Sequence, residues 1–503
     1  MSPDHRVVPT ARTIVRAAAQ ASRIMMAAMA AVGVGTGSPS AHAELLYFKA
    51  GGQAQLPATV DGQVVTVDTP GGKLVFQRDD FRKIVPGHWP PAEWPERRTQ
   101  AFASDAQARF EAAWWALENG LTPEAEAMLR EAHAADPKHQ PTARLVALLD
   151  RLKPSCDDPN IEELEDSLGG RFEKLRGPHV LLLHQHSPEE AAARVDVIER
   201  VVTTYYLSMA AQGFDLPVPG ERLVAAWFAH HEDYLAYLHN EQADAFRTTT
   251  GYFHPTRDAV LSYDLRSSPT QRTSQEALIA RRRELAQARE QLPTRGRVRL
   301  SMAGAPTQTL ARSGAIAVLD RLDREVSRQQ LLLDLDRRAM DLGTAAHETI
   351  HQLVAHTHLA PEHDDFPIWL HEGLAAQYEV VRGGRWSGLA RAHDARLPDW
   401  HKIEPAPRLV PLLRDVGFGH GYQPDLYAQA WALVYYLRKQ HPTAFVTFLD
   451  LLRTPDPDRP APPDRTLAPF RAAFGADLNH FEKSWHQFMS NVQTPLESES
   501  FPR

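Results

Sequence analysis

An α+β chain in which helices predominate is the fold class that this sequence predicts, and three observations carry the reading. Near the start, Gln63-Val64-Val65-Thr66-Val67 and Lys73-Leu74-Val75-Phe76 flank Pro70-Gly71-Gly72, two β-branched or apolar runs around a turn signal. Between residues 100 and 152 alanine-rich helical spacing takes over. From residue 179 the order strand, helix, strand, hairpin leads into long helical stretches that dominate the rest of the 503 residues. Such a length predicts two to four domains.

Residues 1–43 read as a signal peptide. Arg6, Arg12, Arg16 and Arg23 precede an apolar run from Ile24 to Val34, and Ala41-His42-Ala43 offers small residues for cleavage. That run is too short to span a bilayer as a stable helix, and no other stretch approaches the required length. The expected location is outside the inner membrane, in a bacterial periplasm, with no stable membrane span after cleavage. Net charge is −8, and removal of the segment would leave −11, so no basic surplus points to nucleic acid as a partner. A lone cysteine, Cys156, excludes an intramolecular disulfide and a cysteine-based zinc site.

Residues 44–95 predict a small β module of three to five strands, closed by a linker at His88-Trp89-Pro90-Pro91 and Trp94-Pro95. Within residues 100–152, Ala113-Trp114-Trp115-Ala116-Leu117, Gly120-Leu121, Ala125, Leu129 and Ala132, then Asp136-Pro137, resemble a tetratricopeptide unit with a trailing helix. One such unit cannot bury its own face and has to pack on a neighbour, and it could also engage a protein partner. The third domain spans residues 170–495. His179 to His184 and Leu223 to Phe228 read as strands around a helix from Pro188 to about Ala211. Gly251-Tyr252-Phe253 and Ala259 to Tyr263 follow as a hairpin, with Val260 to Tyr263 as the candidate sheet edge for an extended ligand. A charged helical insertion occupies 266–340, with a lead-in helix over Leu319 to Leu335.

The chemistry concentrates between Leu342 and Glu379. His347-Glu348-Thr349-Ile350-His351 is an H-E-x-x-H pattern, and residues four apart share a helix face, so both imidazoles can address one point. Ala345, Ala346, Ile350, Leu353 and Val354 give that helix an apolar side. Asp364, Asp365 and Pro367 signal the start of a second helix, which carries Glu372 within Trp369-Leu370-His371-Glu372-Gly373-Leu374-Ala375. Two helices joined by a short loop can bring Glu372 to the same point. One Zn²⁺ with three protein ligands keeps a fourth position for water, and Glu348 is close enough to act on that water as general base.

This arrangement resembles the gluzincin metallopeptidases, and the Trp-Leu-x-Glu-Gly-Leu-Ala wording is similar to a peptidase-MA-like family of secreted bacterial proteins. The resemblance implies a zincin-like domain, with His347, His351 and Glu372 as zinc ligands and Glu348 as the catalytic carboxylate. It implies hydrolysis of a peptide or protein substrate. Thermolysin-like members carry an acidic residue four positions after the Glu ligand, where this chain has Ala376; Glu379, on the same face as Glu372, is the candidate to orient a ligand His instead. The resemblance also places a Tyr at the start of a helix facing the metal. Tyr427 is therefore the first candidate to stabilise the oxyanion, with Tyr422 and His420 behind it. His356, His358, His363 and His371 lie off the ligand spacing, and His371 should point away from the metal if Glu372 points towards it. The alternative function is a catalytically inactive, peptidase-like scaffold or binding protein of the cell envelope.

Overall fold

The computed structural model describes residues 43–153, 156–302, 307–360, 366–389, 391–418, 423–454 and 464–500. The signal-peptide reading thus lies almost wholly outside the described residues, as do Tyr422, His420, His363, Asp364 and Asp365. The chain is α+β and mostly helical, as its sequence predicts.

The β module is a five-stranded antiparallel sheet ordered β4-β3-β2-β1-β5, from β1 (Ala43–Phe48), β2 (Gln53–Asp61), β3 (Val64–Thr69), β4 (Gly72–Gln77) and β5 (Phe81–Gly87). Alternation along β3 buries Val65 and Val67 while Val64 stays exposed. Phe48, Phe76 and Phe81 make a cluster of three rings, which Leu331 from a distant helix completes.

The expected linker at 88–95 is a helix, Pro90–Phe102. Proline is tolerated in the first helical turn because the missing N–H would have no intrahelical partner there. The alanine-rich segment forms helices Ala106–Glu118, Thr122–Ala135 and Gln140–Leu152. Their buried Ala113, Leu117, Met128 and Leu149 belong to the same core as the third domain, which is the packing that a single helical unit requires.

That domain is built on a sheet ordered β6-β7-β8-β10-β9, comprising β6 (Glu173–Arg176), β7 (Val180–His184), β8 (Leu223–Phe228), β9 (Gly251–His254) and β10 (Ala259–Tyr263). β7, β8 and β10 run parallel to one another, with β6 and β9 antiparallel at the edges. Leu182, Ala225, Trp227 and Val260 face the helix Pro188–Gln212 and the main core, whereas Leu181, Val224, Phe228 and Leu261 face a second core shared with the helix His231–Asn240. Strands covered on both sides read as continuous apolar runs, which is how the sequence writes them. The predicted edge, Val260 to Tyr263, lies instead between β8 and β9, so the free edge beside the candidate site is β9. Hairpin order alone does not say which of two strands joins the parallel set.

Residues 266–340 do not form a self-contained insertion. A helix over Pro269–Glu290 and a hairpin of β11 (Arg297–Leu300) and β12 (Gln308–Ala311) lead into one continuous helix, Arg312–His356. It holds both the expected lead-in helix and the H-E-x-x-H pattern. No proline or glycine cluster interrupts residues 315–342, so no break is encoded. No helix of the described residues is long and apolar enough to cross a membrane.

Candidate metal centre

The last turns of the long helix are buried from Leu342 to Val354, wedged between the sheet and the following helix. His347 and His351 project from one side, their ring centroids 4.7 Å apart. The second helix, Ile368–Ala375, begins at Pro367, and its first free N–H groups are met by Asp415, whose Oδ1 accepts from the Trp369 amide at 2.8 Å. A carboxylate there suits the positive end of a helix.

Gly373 lets this helix lie hard against the helix Pro424–Gln440, since a Cβ at that position would sit 2.6 Å from the Ala430 carbonyl oxygen. The neighbouring Glu372 is thereby aimed at the two imidazoles. Its Oε2 lies 3.1 Å from His347 Nε2 and 3.7 Å from His351 Nε2. One donor atom from each of the three residues falls within 4.8 Å of the others, so the trio that the spacing predicted could hold a metal ion.

The far nitrogens of both imidazoles are engaged. His347 Nδ1 is 2.9 Å from Glu379 Oε2, and the other oxygen of Glu379 lies 2.8 Å from Arg396 Nε and from His393 Nε2. Glu379, the expected partner of a His in this pair, thus holds His347 through Nδ1. His351 Nδ1 is 3.1 Å from His371 Nε2. His371 is not turned away as expected: it faces the pair, its ring centroid 4.0 Å from that of His351. Each contact fixes Nδ1 as the hydrogen-bonding nitrogen and frees Nε2 towards Glu372.

Charge follows from burial and pairing. For His347, burial works against protonation, but hydrogen bonds and charge from Glu372 and Glu379 outweigh it and hold the imidazole well above its ordinary pKa. Burial likewise opposes ionisation of Glu379 and Glu372, yet Arg396 beside the first and His351 beside the second keep both well below the usual carboxylate range. Glu348 goes the other way. Burial raises it, and the nearby histidines only partly offset that. Its carboxylate also takes a backbone hydrogen bond from Phe253 on β9, which ties it to the edge strand of the sheet.

Tyr427 stands on the first turns of the helix Pro424–Gln440, its ring 5.4 Å beneath the Arg396 guanidinium and 6.1 Å from the Phe418 ring. It adjoins the site through Arg396 and Glu379. His356 pairs with Asp258 in the β9–β10 turn, away from the trio. His393 and Arg396 were not singled out by sequence reasoning. They follow Glu379 by 14 and 17 positions, beyond a short hairpin of Val381–Arg382 and Arg385–Trp386, a separation with no single helical or strand period to signal it.

A family model described as "Protein of unknown function (DUF1570)" matches residues 341–457, less than half of the chain. The matched stretch holds every candidate site residue together with Glu379 and Arg396. No curated protein matches the chain.

Proposed function

We propose that this chain is an exported, zinc-dependent peptidase of the gluzincin type. The observation that carries the reading is the convergence of His347, His351 and Glu372 donor atoms within 4.8 Å, with buried Glu348 close enough to feel the charge of all three. Four-coordinate zinc with bonds near 2.0–2.1 Å places its ligand atoms about 3.3 Å apart, and the separations of 3.1 and 3.7 Å bracket that value. Two imidazoles and one carboxylate make a donor set suited to zinc, and the Glu379 carboxylate on His347 Nδ1 favours the tautomer that leaves Nε2 to face an ion.

Bound there, zinc would acidify a water molecule and polarise a substrate carbonyl. Glu348 takes the proton as general base and passes it to the leaving amine. Its upward-shifted affinity for protons, caused by burial, suits a group that must accept and return one near neutral pH. The N–H of Phe253 holds the carboxylate in place, and the edge strand β9 is the proposed place for an extended substrate to align beside it. Tyr427 is the proposed donor to the developing oxyanion, with the Arg396 guanidinium over its ring as the group that sets it.

Replacing Glu348 by Gln should leave zinc bound at one ion per chain, by elemental analysis, while turnover of an unfolded protein substrate falls by about 10²–10⁴-fold. Undiminished turnover in that variant removes the role of Glu348. A wild-type protein that holds no zinc leaves the scaffold reading in its place.

A further inference from the structure

The helix Pro269–Glu290 and the opening half of the helix Arg312–His356 run antiparallel, with Gln275 against Gln330 and Arg289 against Asp320. Leu278 and Leu285 meet Leu319 and Val326 between them, and Leu300 and Met302 close this small core at the β11–β12 end.

That end is basic. From Gln291 to Leu319 the sequence holds Arg295, Arg297, Arg299 and Arg312, and no aspartate, glutamate or lysine. With 63 acids in 503 residues, a stretch of this length would carry about three or four. Burial alternates along β11: Val298 and Leu300 are buried, whereas Arg297 and Arg299 are exposed on the other face, paired with exposed Ala311 and Thr309 of β12. Arg295, in the bend before β11, and Arg312, after β12, are exposed as well.

None of the four is ion-paired among the described residues. Arg297 Nη2 donates to the Thr309 carbonyl at 3.0 Å and Arg312 Nε to that of Pro293 at 3.1 Å, neutral acceptors that hold a guanidinium without cancelling its charge. Of the acids that flank the stretch, Glu290 ends the preceding helix and Asp320 is held by Arg289 at 2.9 Å. The long helix starts here with no side-chain cap and no acid in its first turn, so the positive end of its dipole adds to the same field. Arg324, which binds Asp80 of the β module, lies 12 residues beyond Arg312, about 18 Å along the axis at 1.5 Å per residue. The Debye length at physiological salt is about 8 Å, so the module's acids are screened from this end.

We infer that the β11–β12 end docks on an anionic phospholipid surface, its four arginines meeting headgroup phosphates. Two four-residue strands present an end and not a channel, so the complementary partner is a plane of charge and not a strand laid along a groove. The apolar side chains of β11 stay in the hairpin's own core, which makes the contact electrostatic and reversible, and no helix of the described residues is long and apolar enough to cross a membrane. The docking does not rest on the proposed hydrolytic reaction. It would set His347, on the same helix, about 50 Å along the axis from the headgroups.

The test places a fluorophore on Thr309→Cys of the full chain, Cys156 being buried, and reads its quenching by a headgroup-linked quencher in vesicles. Quenching should saturate with mixed phosphatidylglycerol and phosphatidylcholine, be absent with phosphatidylcholine alone, and vanish in about 1 M salt, where the Debye length is about 3 Å. Arg295→Gln and Arg299→Gln should each weaken the titration about fivefold, and Arg299→Lys should not. Arg282→Gln and Arg283→Gln, exposed further back on the same pair of helices, remove equal charge and should leave it unchanged. No quenching with the anionic vesicles, equal quenching with neutral ones, or an equal loss in the Arg282 and Arg283 variants overturns the inference. So does displacement from the vesicles by an oligonucleotide at equal phosphate concentration, which would mark a site for a polyanionic strand instead.

Discussion

At the residue scale, Glu379 decides which nitrogen His347 presents. Its Oε2 holds Nδ1, and Arg396 and His393 hold its own second oxygen, so the carboxylate is anchored on both sides. Glu379→Gln keeps the shape but removes the charge. On the proposed reading, zinc affinity should fall by about 10- to 100-fold in a competition titration, while the fold measured by circular dichroism is retained. Gly373 is constrained by space. A methyl there would lie 2.6 Å from both the Ala430 oxygen and Val434 Cγ2, so Gly373→Ala should cost about 1–3 kcal/mol in urea denaturation. A Gly373→Ala protein of unchanged stability would show that the two helices are not held at this separation.

At the scale of elements, the helix Ile368–Ala375 is short and depends on its cap. Asp415 supplies it from 46 residues away, in a backbone conformation with φ of 55° that asparagine tolerates and alanine does not. Asp415→Ala should therefore lose about 1 kcal/mol or more and, on the proposed reading, weaken zinc binding through Glu372, whereas Asp415→Asn should retain most of both. A loss of stability with zinc affinity untouched would separate the cap from the site. The sequence made the helix itself legible through its apolar face and Pro367, but it could not point to Asp415, because no local period connects positions so far apart. The same division recurs through the fold. β7, β8 and the paired imidazoles are written in local patterns. The free edge at β9, the helix over 90–102 and the Glu379–Arg396 contact depend on which elements become neighbours, and tertiary packing decides that.

At the scale of the whole molecule, stability should vary with pH through groups far from the metal centre. His186, just beyond β7, is buried with neither ring nitrogen hydrogen-bonded among the described residues. Burial, and the positive charge of Arg194, outweigh Asp264 and lower its pKa to about 4. In the unfolded chain it titrates near 6.5. Between those values the unfolded chain takes up a proton that the folded one refuses, so this contribution is fully present above about pH 6.5 and declines as pH falls towards 4. Denaturation midpoints at neutral and mildly acidic pH should differ by less in His186→Gln than in the wild type. A wild-type difference that survives the substitution intact would assign the pH dependence to other groups.

The helix Arg312–His356 reaches two of these regions at once. Leu331, Leu332 and Leu335 sit against the β module, Arg324 binds Asp80 of that module at 2.7 Å, and the final turns carry His347 and His351. From Leu331 to His347 the helix spans about 24 Å at 1.5 Å per residue, with no hinge in between. The module and the imidazoles are therefore fastened to a single axle. Any torque applied by a molecule gripping the module would reach His347 and His351 as rotation about that shaft, so a partner docked on the sheet would have a mechanical hold on the two imidazoles.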